Sequence, residues 1–167
     1  MNEDDLPKKK VRFYTETDLK VIKCLLRRNI PMSAYEIASD KEKGIGIPER
    51  NGEVKESCRF LEGQGLLKYD LEENKFFLNK SNKIIDFLFD SIKMSSKGTN
   101  EMIERALDMI MRTIFMTKEG NVTSNLLALD LAKFSDDLHT DFPPTEKNLG
   151  KINSWAKKCN ALRNPRY

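Results

Sequence analysis

The segment PERNGEVKESCRFLEG, residues 48–63, concentrates side chains suited to binding an extended anion. Val54, Cys58 and Leu61 recur at i, i+4 and i+7. On a helix this spacing gathers them on one inward side and leaves Arg50, Asn51, Lys55 and Arg59 facing outward. A guanidinium fork or a carboxamide can make paired hydrogen bonds to a base edge, and an ammonium is a point donor to a phosphate. Glu53 and Glu56 share the outward region. A carboxylate can accept from a cytosine amino group, but it repels phosphates. Further along, Lys68 and Lys75 stand among Asp70, Glu72 and Glu73, and Lys75 is counted as a candidate contact.

Other chemistries find little support. The chain has no glycine-rich phosphate loop and no nucleophile with an obvious histidine partner, so it reads as a non-enzyme with no cofactor. Its single histidine, His139, has no cysteine nearby. Cys24, Cys58 and Cys159 are odd in number, far apart and each set in an apolar helical pattern, which suits free core thiols better than disulfides or metal ligands. Trp155 could stack on a base, but its spacing with Ile152 and Cys159 favours a core role.

The net charge of +3 is too small to identify a nucleic-acid partner, so its distribution matters more. Residues 49–78 sum to −2, whereas Lys147, Lys151, Lys157, Lys158, Arg163 and Arg166 against Glu146 bring residues 143–167 to +5. Near the other end, LPKKKVRF supplies Lys8, Lys9, Lys10 and Arg12. This run suits an arm along phosphates, a nuclear-import signal in a eukaryotic host, or a solubilising tail beside Glu3, Asp4 and Asp5. No stretch approaches the roughly 20 apolar residues of a membrane span, and MNEDDLPKKK is polar where a secretory signal is apolar. A cytoplasmic protein with no membrane partner is expected.

The elements that must position these residues are mostly helical. Leu19, Ile22, Leu25 and Leu26 predict an amphipathic helix over 16–29, closed by Pro31. Ser33, with Glu36 three residues on, predicts a short capped helix with Ala34, Ile37 and Ala38 inward. The stretch KGIGIPERNG makes the link to the third helix unusually long and is expected to re-aim it. After Gly63, LLKYDL and KFFLN predict two strands about a turn at EEN. Helices follow over 81–93 and, from Thr99, over 99–117; Ile103, Ala106, Leu107, Ile110 and Ile114 form a continuous stripe on the second. Leu127, Leu131, Phe134 and Leu138 mark a further helix, and Leu149, Ile152, Trp155, Ala156 and Cys159 mark the last. The fold class is mainly α with a small β-hairpin. It divides into a basic flexible arm over 1–14, a domain over 15–80 and a helical C-terminal region over 81–167.

Two helices and a third entering a hairpin resemble the winged helix-turn-helix family, most of all its archaeal and bacterial regulators. The likeness rests on Val54, Cys58, Leu61, Gly65 and Leu66, whose spacing matches the family's third helix and the Gly-Leu pair after it, and it covers about residues 15–79. In PPTEKNLGKINSWAKK, Pro144, Thr145, Leu149, Gly150 and Ile152 resemble small helix-turn-helix modules of plasmid and phage replication proteins. The first resemblance implies that the third helix lies in the major groove and the hairpin against the backbone.

The expected function is sequence-specific binding of double-stranded DNA in transcriptional control, with a homodimer formed through residues 81–117. The alternatives are a protein-interaction adaptor working through the acidic helix and hairpin, and a replication accessory using the basic C-terminus.

Overall fold

The computed structural model describes residues 12–94, 100–116 and 161. Lys8, Lys9, Lys10, Lys147, Lys151, Lys157 and Lys158 lie outside the described residues, as do His139, Trp155, Cys159 and the two helices expected after residue 120.

Helix α1, Glu16–Arg28, begins with a reciprocal cap: Thr15 Oγ1 accepts from the Asp18 amide at 3.3 Å, and Asp18 Oδ2 accepts from the Thr15 amide at 2.8 Å. Asn29 ends it by adopting the left-handed conformation, φ 51°, with its amide on the Leu25 carbonyl; Pro31, expected to close the helix, comes two residues later. The helix is also less one-sided than its pattern suggested. Val21 and Cys24 are as buried as Ile22 and Leu25, because other elements pack on α1 from several sides.

Helix α2, Ala34–Ser39, carries the expected Ser33–Glu36 box. The long link after it is folded back onto α2. The amides of Ile45 and Ile47 donate to the Ile37 and Ala38 carbonyls, while the Asp40 carboxylate accepts from the Glu42 and Lys43 amides and from the Arg28 fork at 2.7 and 2.9 Å. Gly44 passes so close to the Ile37 carbonyl that any side chain there would collide with it. A 3-10 turn, Pro48–Arg50, then delivers the chain into α3, Asn51–Gly63, whose Val54, Cys58 and Leu61 are all buried.

Gly65, at φ 77°, turns the chain into strand β1, Leu67–Asp70, which pairs antiparallel with β2, Lys75–Leu78. Asn79 and Asn82 fix this corner by donating to the Gly65 carbonyl at 2.9 and 3.2 Å. One pairing escapes the sequence pattern: Met32, between α1 and α2, forms an isolated bridge with Phe76.

Helices α4, Lys83–Met94, and α5, Asn100–Phe115, complete the described chain. Leu107, Ile110 and Ile114, expected to bury themselves against a second copy, are instead at most 1% exposed within the single chain and belong to the same cluster as Leu19 and Ile22. Leu107, Ile110 and Ile114 therefore pack within the single chain, where α5 meets α1. Glu104, in ion-pair contact with Lys23, Arg27 and Lys43, and Arg112, bonded to Glu16, hold that packing from both ends. Among the described residues no helix is long and apolar enough to cross a membrane.

Cys24 and Cys58 are free and buried. Burial above all, with Asp40 near the first and Asp18 near the second, pushes both thiols up to about 12. Neither thiol should react with a maleimide in the folded chain at about pH 8, and both should react once it is unfolded. Peptide mapping of the labelled sites checks this.

Candidate nucleic-acid interface

The inner edge of α3 is polar and tied to α1. Ser57, 3% exposed, donates from Oγ to Asp18 Oδ1 at 2.5 Å. Arg12 grips the same carboxylate with both terminal nitrogens, at 2.7 and 2.9 Å, and its guanidinium carbon lies 3.5 Å from the centre of the Phe60 ring. Tyr14 is buried, with its ring 5.3 Å from that of Phe60 and 4.7 Å from that of Phe115. Arg12 and Tyr14, which the sequence assigned to an arm over residues 1–14, are thus tied into the packed structure, while Phe13 between them is exposed. Arg12 is committed to Asp18 and Phe60.

At the start of α3 a second cluster occupies residues that the sequence offered to a ligand. Arg50 donates to both Glu53 oxygens at 2.7 and 2.8 Å and to Thr17 Oγ1 at 3.0 Å, while Thr17 Oγ1 donates to Glu53 Oε1 at 2.6 Å. Arg50, expected as an outward contact, thus bridges α1 and α3 while its side chain stays partly exposed. The same geometry changes the meaning of Glu53, whose charge is neutralised locally by Arg50. Its acid is lowered to about 2, first by the Arg50 hydrogen bond and then by that from Thr17.

Lys75 has a carboxylate neighbour as well. Its ammonium lies 3.6 Å from Glu36 Oε1, so it links the hairpin to α2; the Glu36 acid is lowered by the Ser33 amide first and by Lys75 after it. Lys68, paired across the hairpin with Phe77, sits on the opposite hairpin face from the core residue Phe76. The hairpin tip carries no basic group: Asp70 accepts from the Glu72 and Glu73 amides, and Leu71 is 81% exposed.

The remaining sequence-predicted residues within the described chain are Asn51, Lys55 and Arg59. Lys55 and Arg59 are exposed, stand one helical turn apart, and neither has an ion-pair partner among the described residues. Asn51 opens the helix half-buried, and Gly52 beside it is open, with nothing near the position a side chain would take. The resulting surface offers one ammonium, one guanidinium and one carboxamide on a fixed helix, with Glu56 and Glu62 flanking them. It can donate hydrogen bonds to phosphates and base edges. Among the described residues no group of histidines, cysteines and carboxylates is arranged to hold a metal ion.

Sequence reasoning missed the two clamps. Thr15-x-x-Asp18 and Arg50-x-x-Glu53 are visible as local spacings, but the partners Ser57 and Thr17 come from 39 and 36 residues away from Asp18 and Glu53 respectively. The folded Glu53 acid is stronger than the ordinary 4.5, so its stabilisation is complete above that value and is lost as the pH falls through about 2. A carboxyl-carbon NMR titration should place the Glu53 midpoint near 2, and Arg50→Ala should return it toward 4.5.

No protein-family model, curated protein or solved structure matches the chain, so the chemistry of this surface rests on its own geometry.

Proposed function

We propose that this chain is a winged-helix protein that binds double-stranded DNA in transcriptional control, with α3 in the major groove. The observation that carries the reading is selective. Arg12, Arg28, Arg50, Lys75 and Arg112 are each held by a carboxylate, whereas Lys55 and Arg59 on the outer side of α3 are not. Lys55 and Arg59, one turn apart, stand on a helix whose orientation is already fixed by its packing, so the backbone that carries them needs no ordering when a ligand arrives. Asn51, near the helix start, is the amide suited to an adenine edge.

In this reading the acidic hairpin tip does not contact phosphates. The phosphate contacts outside α3 come from Lys8, Lys9, Lys10, Lys147, Lys151, Lys157 and Lys158, which the sequence places toward the chain's two ends. The exposed acids near α3 then act against nonspecific association, because they repel any duplex that does not repay them with base contacts.

A second reading, that of a protein-interaction adaptor, is favoured by the hairpin tip. Leu71 is 81% exposed between Asp70 and Glu72, and Tyr69 is 36% exposed. An apolar side chain ringed by carboxylates suits a basic, apolar protein surface better than it suits DNA.

Fluorescence anisotropy on short duplexes separates the two readings. Lys55→Ala and Arg59→Ala should each weaken binding by about 1–3 kcal/mol, with the Arg59 change also relaxing sequence preference. Equal affinity and preference in both variants would move the function to the hairpin tip. Replacing Lys147, Lys151, Lys157 and Lys158 by Ala should lower affinity for all duplexes alike and flatten the log–log salt slope by about 0.9 per lost phosphate contact. An unaltered slope would remove the C-terminus from the interface.

A further inference from the structure

A cleft of about 460 Å³ opens between the C-terminal end of α1, the turn after it and the outer face of the hairpin. Its walls are largely apolar: Leu25 from α1, Ile30 and Pro31 from the turn, and Phe77 and Leu78 from β2. Among the described residues its charged lining groups are Lys68 and Lys80, with no carboxylate. Some cations elsewhere in the described chain have acid partners, as Lys23 and Lys43 have in Glu104 and Lys75 has in Glu36. Neither Lys68 nor Lys80 has an ion-pair partner among the described residues, and the one contact of Lys80 is with the Phe89 ring, 5.3 Å from its ammonium.

The size falls within the roughly 300–1,000 Å³ of small-molecule sites, and a mostly apolar wall with a few convergent polar groups is their usual make-up. A bare inorganic anion would leave the apolar wall unused, and an uncharged hydrocarbon would leave the two ammonium groups unused. We propose that the cleft binds a small organic acid, with an apolar ring or short chain against Leu25, Ile30 and Phe77 and a carboxylate turned to Lys68 and Lys80. Ile30 is 55% exposed, so this surface has apolar area still to bury. The site is separate from Lys55 and Arg59, and its existence does not depend on DNA binding.

The experiment is an NMR titration of the isotopically labelled full chain with 2-naphthoate, its uncharged amide and inorganic phosphate. Saturable shifts confined to the amides of Asn29, Ile30, Phe77 and Lys80 are expected with naphthoate, together with a rise in thermal midpoint. The double change Lys68→Gln, Lys80→Gln should weaken naphthoate by about tenfold or more while leaving the weaker binding of the amide unaltered. Ile30→Glu, at a position exposed enough to tolerate it, should abolish naphthoate binding by placing a like charge at the mouth. The proposal is overturned by the absence of saturable shifts at millimolar naphthoate, by shifts elsewhere in the chain, or by equal binding to the double-glutamine variant. It is also overturned if phosphate produces the same shifts with equal affinity, because the cleft would then be only a pair of surface cations.

Discussion

The Asp18 carboxylate is completely buried, and the arrangement of the N-terminal half depends on how it is satisfied. Taking a carboxylate out of water costs several kcal/mol unless its oxygens find donors. Here Oδ1 accepts from Arg12 and Ser57, and Oδ2 accepts from Arg12 and the Thr15 amide. One residue thereby caps α1, holds the chain that precedes it and fixes the inner edge of α3. Removing a single donor would leave a buried acceptor unmet, at a cost of about 1–3 kcal/mol or more. The constraint is orientational as well as energetic. With Ser57 held on Asp18 and Glu53 held by Arg50 and Thr17, α3 cannot roll about its axis, and the side presenting Lys55 and Arg59 is determined.

The charges of the molecule consequently fall into two groups. Arg28 on Asp40, Arg50 on Glu53, Lys75 on Glu36, Arg112 on Glu16 and the three cations around Glu104 stitch elements together, and most are at least partly exposed. Each such pair contributes little stability by itself, so their effect is chiefly to fix geometry. Lys55, Arg59, Lys68 and Lys80, together with Lys20, Lys41 and Lys83, form the other group, without an ion-pair partner among the described residues. Counting charges along the chain cannot separate the groups, and for that reason the −2 of residues 49–78 understated what α3 offers to an anion.

Much of the architecture was legible because it is local. Thr15 with Asp18 and Ser33 with Glu36 announce two helix starts; Val54, Cys58 and Leu61 announce the buried side of the third; the apolar runs about Glu72 to Asn74 announce the hairpin. What could not be read was long-range. The α5 stripe shows as an apolar face at helical spacing, but nothing in its period says whether a second copy or α1 covers it; Leu107 and Ile110 turn out to face α1 and its neighbours. The contacts of Arg50 with Thr17 and of Lys75 with Glu36 depend on segments far apart in the sequence being near in space. The cleft is composed from α1, a turn and the hairpin, and no sequence window contains it.

On the proposed reading, the side of α3 left free by the Asp18 and Arg50 clamps meets DNA. Chemical-shift mapping of the labelled full chain with a short duplex tests this most directly, because it locates contact without altering any residue. The account requires the largest perturbations at Gly52, Lys55 and Arg59, with small ones at the hairpin tip around Leu71 to Glu73. Perturbations centred on the tip, or none at α3 under conditions where the duplex is bound, would contradict it.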